Sequence, residues 1–162
     1  MKERRFQLLV KILLFGCLLV LARFILFKKP VSYYKNYFRH EYSSRTIKKG
    51  WENANFKPFA TIQLFSRSRV LRTSYKVDNI GGNIIGFIPI GFLLCFLVRS
   101  RYRAVIVYLL VTFTSLFFEV TQLLTGLGAF DVDDLILNSF GGLLGMFFFL
   151  IVRPLFAADA TS

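Results

Sequence analysis

Four long apolar runs limit what this chain can become. Phe6–Phe27, Ile80–Val98, Ala104–Thr125 and Leu135–Val152 each hold about the twenty residues that a helix needs to cross a bilayer core. Their apolar residues run all round the helix rather than along one stripe, which suits lipid and not the surface of a soluble domain. Lys11 and Arg23 lie close enough to the ends of the first run to snorkel. Arg153-Pro154 is the expected end of the fourth. The fold class expected is all-α: a polytopic membrane protein with a bundle of about four transmembrane helices.

Charge divides the chain further. Only 19% of its 162 residues are charged, yet the formal net charge is +12. Soluble domains carry about 25% charged residues, so this balance points to a membrane protein with a basic flank. The stretch from Lys28 to Lys76 holds twelve Lys and Arg against Glu41 and Glu52, and so ten of the twelve net charges. Four parts follow: an N-terminal anchor over 1–28, a basic aromatic loop over 29–78, a three-helix core over 79–153 and a short tail over 154–162. Met1–Arg5 resembles the basic start of a signal peptide. The apolar run after it is long for one and lacks a small-x-small cleavage site, so an anchor helix is expected.

Several function classes find no support in the motifs. There is no Walker loop, no HExxH and no GxSxG, and the one histidine is His40 in the basic loop. Cys17 and Cys95 both fall inside predicted spans, which is no metal or disulfide pattern. Nucleic-acid binding is not expected, because no recognisable fold accompanies the charge. Sidedness is contested. With four spans, both termini share a side with the 99–103 connection and its three arginines, while the long basic loop lies opposite. A raw count of cations favours a cytoplasmic loop. Charge density in the short connection favours both termini inside, which is the expected orientation.

The informative residues are polar ones where lipid should be. Ser115, Glu119 and Gln122 are spaced i, i+4, i+7, which stacks them on one face of the third helix. Asp131 precedes the fourth helix, Asp134 and Asn138 follow one turn apart, and Asn83 lies about one turn into the second span. In an antiparallel layout the end of span three and the starts of spans two and four meet at one membrane face. These seven residues are thus expected to line one polar pocket beneath the basic loop. Ser115, Gln122 and Asn83 are as readily explained by hydrogen bonds between helices. Carboxylates at such depth default to functional candidates. Asp133 reads as a solvated turn residue or an aid to the helix N-terminus.

Packing signals accompany them. Gly82-x3-Gly86 and Gly141-x3-Gly145 should let backbones approach, and Pro89 should disturb the second helix. The second and fourth spans open alike, Asn79-x3-Asn83-x2-Gly86 against Asp134-x3-Asn138-x2-Gly141, a hint of a duplicated hairpin. In the basic loop, Tyr33, Tyr34, Tyr37, Phe38 and Tyr42 interleave with Lys35 and Arg39. That texture suits a segment lying among lipid headgroups.

Four blocks carry a resemblance. They are Asn55-Phe56-Lys57-Pro58-Phe59-Ala60-Thr61-Ile62, Asn83-Ile84-Ile85-Gly86-Phe87-Ile88-Pro89-Ile90-Gly91, Ser115-x3-Glu119-x2-Gln122, and Asp131-x2-Asp134-x3-Asn138-x2-Gly141-Gly142-x2-Gly145. In this order they resemble the VanZ-like membrane protein family. Many relatives carry an arginine in the turn before the first aspartate, where this chain reads Gly128-Ala129-Phe130. The family is named for a protein conferring teicoplanin resistance in Gram-positive bacteria, and the resemblance carries no established reaction. It implies a multi-pass protein of the bacterial cytoplasmic (inner) membrane with a cell-envelope role, and glycopeptide resistance as one form of that role.

Three functions compete. The leading one is a non-catalytic envelope protein whose partners are membrane lipids and an anionic amphiphile, such as a lipid-linked wall precursor or a lipoglycopeptide. Its ligand-binding residues would be Asn83, Ser115, Glu119, Gln122, Asp131, Asp134 and Asn138. The second is an intramembrane enzyme on a lipid-linked substrate, with Glu119 as base and Asp131 or Asp134 as acid or metal ligand. No cofactor is expected, although three carboxylates suit a hard divalent cation. The third is a transporter or scaffold subunit, with the glycine faces available for a homo-oligomer.

Overall fold

In the computed structural model, which describes residues 2–67 and 73–158, the chain is helical throughout. The long helices are α1 (Lys2–Ile25), α5 (Thr73–Leu97), α6 (Arg103–Thr125) and α7 (Val132–Ala158). Between α1 and α5 lie α2 (Val31–Asn36), which runs into a wider π turn over Tyr37–Glu41, then α3 (Ser44–Glu52) and α4 (Ala60–Arg67). Four stretches are long and apolar enough to span a membrane: Glu3–Ile25, Asn79–Leu97, Arg103–Thr125 and Val132–Pro154. The chain is an all-α polytopic membrane protein. Of the basic set, Arg69 and Arg72 lie outside the described residues, as does 159–162 of the tail.

A glycine seam joins α5 to α7, and the two helices run the same way. A Cβ at Gly141 or Gly145 would collide with the backbone carbonyl of Ile84 or Ile88, and one at Gly91 with that of Gly142. Bare backbone therefore lets the two helices approach more closely than side chains would permit. The expected Gly82-x3-Gly86 pair does not take part in this way. Gly82 faces open space, and Gly86 receives the Leu21 side chain of α1. Helix α6 runs antiparallel against the seam, with Val111 over Gly142 and the Thr112 and Ser139 hydroxyls 3.0 Å apart. Phe87, Ile90, Val107, Val111, Phe118 and Phe149 fill the space between them.

Helix α1 is the most peripheral span. Leu8, Leu9, Ile12, Phe15, Leu19 and Phe24 are exposed along it, as expected of side chains that face lipid. Pro89 lies inside α5 without ending it, and α7 likewise continues through Pro154 to Ala158. The expected stop at Arg153-Pro154 is thus not where the helix ends. A proline near a terminus removes a single hydrogen bond and leaves the earlier ladder intact.

The basic connection between the first and second spans is folded. Tyr34 and Tyr37 point inward and are buried. The Tyr37 hydroxyl donates to the Thr125 carbonyl at 3.1 Å, and Tyr42 donates to Leu124 at 3.1 Å. The last carbonyls of a helix have no partner within it, so these two tyrosines close the end of α6. Gly126 completes the closure in the left-handed region, at φ 66°. Tyr34 donates to Leu26 at the end of α1 and accepts from the Lys29 amide.

Candidate functional site

The polar residues singled out in the sequence meet at one end of the bundle. Ser115, Glu119 and Gln122 all point into the interior from α6 and are buried. Asn138 of α7 donates through Nδ2 to Ser115 Oγ at 2.8 Å. One turn earlier on α7, Asp134 accepts from Asn83 Nδ2 of α5. Gln122 Nε2 reaches the Ile25 carbonyl of α1 at 3.1 Å. Glu119 Oε2 accepts the backbone amide of Asp131 at 2.9 Å, which ties α6 to the turn before α7. All four spans therefore contribute to one buried polar cluster.

Asp131 faces the other way, towards the connection. A short parallel bridge pairs Asn55 with Asp131: Asn55 N–H donates to Phe130 O at 2.7 Å, and Val132 N–H donates to Asn55 O at 2.9 Å. The Asn55 amide also donates to Asp131 Oδ1 at 2.8 Å, and the Thr61 hydroxyl donates to Oδ2 at 2.6 Å. The Asp133 backbone amide adds a third donor, at 2.8 Å to Oδ1. The Asp131 carboxylate is thus engaged by groups of its own chain.

Asp133 departs most from its expected place. It is wholly buried rather than solvated. Its Oδ2 accepts the amides of Thr61 at 2.7 Å and Ile62 at 3.1 Å, and its Oδ1 accepts the Phe59 amide. These are the first donors of α4, which a helix cannot satisfy itself. A carboxylate there also meets the positive end of the helix dipole. Asp133 stands in the first turn of its own helix α7, as expected of an aid to a helix N-terminus, but its hydrogen bonds go to the start of α4. Phe59, the residue just before α4, sits at φ 66°, a region costly for any side chain.

Asn55, Thr61, Tyr37 and Tyr42 are not among the expected site residues. Asn55 and Thr61 stand within the first block of the resemblance, which is the signal that could have found them. Nothing in the spacing of Tyr37 and Tyr42 distinguishes them from their exposed neighbours.

Charges are layered at this end. Lys28, Lys29, Lys35, Arg39, Arg45, Lys48, Lys49, Lys57 and Arg67 are all exposed, while Glu119 and Asp133 are buried. Among the described residues, ion pairs form only between Lys48 and Glu52 and between Arg99 and Glu3, so none joins the two layers. No three His, Cys, Asp or Glu side chains among the described residues are grouped to hold a metal ion. One polar atom is left over: among the described residues, buried Asn138 Oδ1 has no hydrogen-bond partner.

The VanZ/LLP1 family model matches residues 10–153. The chain belongs to the VanZ/LLP1 family. The match takes in the first span, the folded connection and the glycine seam, well beyond the four blocks that carried the resemblance. Comparison with curated proteins and with solved structures finds no match.

Proposed function

We propose that this VanZ/LLP1 protein binds an anionic amphiphile of the bacterial envelope at the end of the bundle closed by residues 28–67. A lipid-linked wall precursor or a lipid-tailed glycopeptide fits that description, and the chain acts on it by binding, not by catalysis. The observation that carries this reading is the layering of charge. Nine exposed cations stand at this end against two exposed acids, Glu41 and Glu52, while Glu119 and Asp133 are buried, so an approaching anion meets net positive charge first. Exposed aromatic rings of Tyr33, Phe38, Trp51 and Phe56 supply apolar surface beside those cations. The engagement of Asp131 and Asp133 by the connection also favours binding over acid–base chemistry, since both carboxylates hold structure.

In this reading the protein sits in the cytoplasmic membrane with both termini inside and the closed end outward, where it contributes to teicoplanin resistance. Expression in a teicoplanin-susceptible bacterium tests it. The expected result is a changed susceptibility together with binding of labelled teicoplanin to the purified protein. Unchanged susceptibility with no binding would sink the proposal. In the same cells, a cysteine replacing exposed Trp51, with Cys17 and Cys95 removed, should react with a membrane-impermeant thiol reagent. Labelling only after lysis would place the closed end in the cytoplasm and remove the reading's main support.

A further inference from the structure

A cleft of about 530 Å³ opens beside α4, lined by Lys57, Pro58, Ala60, Gln63, Leu64 and Arg67. Hydrogen bonds hold its backbone. The Lys57 amide donates to Asn55 Oδ1 at 2.9 Å, and the Gln63 amide donates to the Phe59 carbonyl at 2.9 Å. Asn55 is itself paired to Asp131, so the Lys57 side of the cleft is tied to the start of a membrane span. Gln63 and Arg67 are one turn apart and share a face of the helix.

The chemistry of the lining is specific. It presents two cations and a neutral amide, with Pro58 and Leu64 as apolar neighbours, and no acid among the described residues. Among the described residues, neither Lys57 nor Arg67 has an acidic partner. The α4 N-terminus does not attract a ligand here, because Asp133 already takes its free amides. Attraction therefore comes from the two side chains, and Arg offers a planar fork that matches phosphate oxygens. Phe56, Phe59 and Leu64 expose more than half of their surface around the cleft. Exposed apolar groups beside cations, at the level where a span begins, suit the boundary between headgroups and acyl chains.

We infer that the cleft between Lys57 and Arg67 binds the phosphate of a lipid headgroup, with the acyl chains lying against Leu64 and Phe59. The inference deepens the amphiphile reading and rests on it for the membrane setting. It names phosphate as the recognised group and this cleft as its seat.

Native mass spectrometry of the full chain in a nonionic detergent tests it, with three probes: dioleoyl phosphatidic acid, dioleoyl phosphatidylcholine and inorganic phosphate. Phosphatidic acid should bind about 10-fold more tightly than either of the others, in line with two cations acting near one anionic group. The double variant K57Q/R67Q should lose about that factor for phosphatidic acid. The control R5Q/R101Q removes the same charge from exposed positions at the opposite end of the bundle and should change affinity less than about 3-fold if attraction is local. All four residues are exposed, so folding is not at issue. Equal loss in both double variants would show diffuse attraction and overturn the site. Equal binding of inorganic phosphate would overturn the lipid assignment, and equal binding of phosphatidylcholine would overturn recognition of charge. Failure of teicoplanin binding with this pattern intact would strike the preceding reading and leave the cleft standing.

Discussion

The end of the bundle around Arg99 and the end around Asp131 face the same problem of unpaired helix termini. At the first, single long side chains suffice. Arg103 Nε donates to the Val98 carbonyl at 2.6 Å, and Gln7 Nε2 donates to Phe96 at 3.2 Å. The Arg103 guanidinium also lies 5.2 Å from the Phe149 ring centroid. At the second, a segment of three short helices does the work, with tyrosine hydroxyls on the α6 carbonyls and a buried aspartate on the α4 amides. The difference teaches where charge is tolerated. Cations at the Arg99 end touch the helix termini directly. At the Asp131 end Glu119 and Asp133 are buried, the cations are exposed, and neutral groups make the contacts between them.

The comparison breaks most readily at Asp133. Replacing it with Ala strands three amides near the membrane, and unmade buried donors cost about 1–3 kcal/mol each. A loss of about 3 kcal/mol or more is expected in detergent unfolding. Limited proteolysis should then cut within 53–67 while the spans stay intact. Tyr37→Phe deletes one hydroxyl from the α6 terminus and keeps the ring. It should cost about 1 kcal/mol by the same unfolding measurement. Arg99→Ala at the opposite end removes an ion pair with Glu3 whose members are both exposed. It should cost about 0.5 kcal/mol or less, as exposed pairs do. If Arg99→Ala proved as damaging as Asp133→Ala, the two ends would not differ as described.

Much of this arrangement is legible in the amino-acid sequence. The four spans are, because apolar runs of span length leave few alternatives. So is the inward face of Ser115, Glu119 and Gln122, since helical periodicity fixes that face and lipid excludes its residues. The meeting of Asn83 with Asp134 and of Ser115 with Asn138 follows from the up-and-down order of the spans, which brings the starts of α5 and α7 and the end of α6 to one face. The engagement of Asp133 does not. Its partners Phe59, Thr61 and Ile62 lie more than seventy positions away, and local spacing carries no record of a contact made by chain reversal. The helices of the connection are also obscure, because they are short and their strongest boundary, at Phe59, depends on an acceptor supplied from α7. The Gly82 expectation fails for a related reason: a small-x3-small pattern states what could approach, not which face does.

The central claim is that residues 28–67 form a folded cap fastened to the bundle through Asp131 and Asp133. Amide hydrogen exchange of the full chain tests it directly. The account predicts slow exchange at Asn55, Thr61 and Ile62 in the wild-type protein. In Asp133→Ala, exchange should become fast at Thr61 and Ile62, with the spans still protected. Fast exchange at all three amides in the wild type would contradict it.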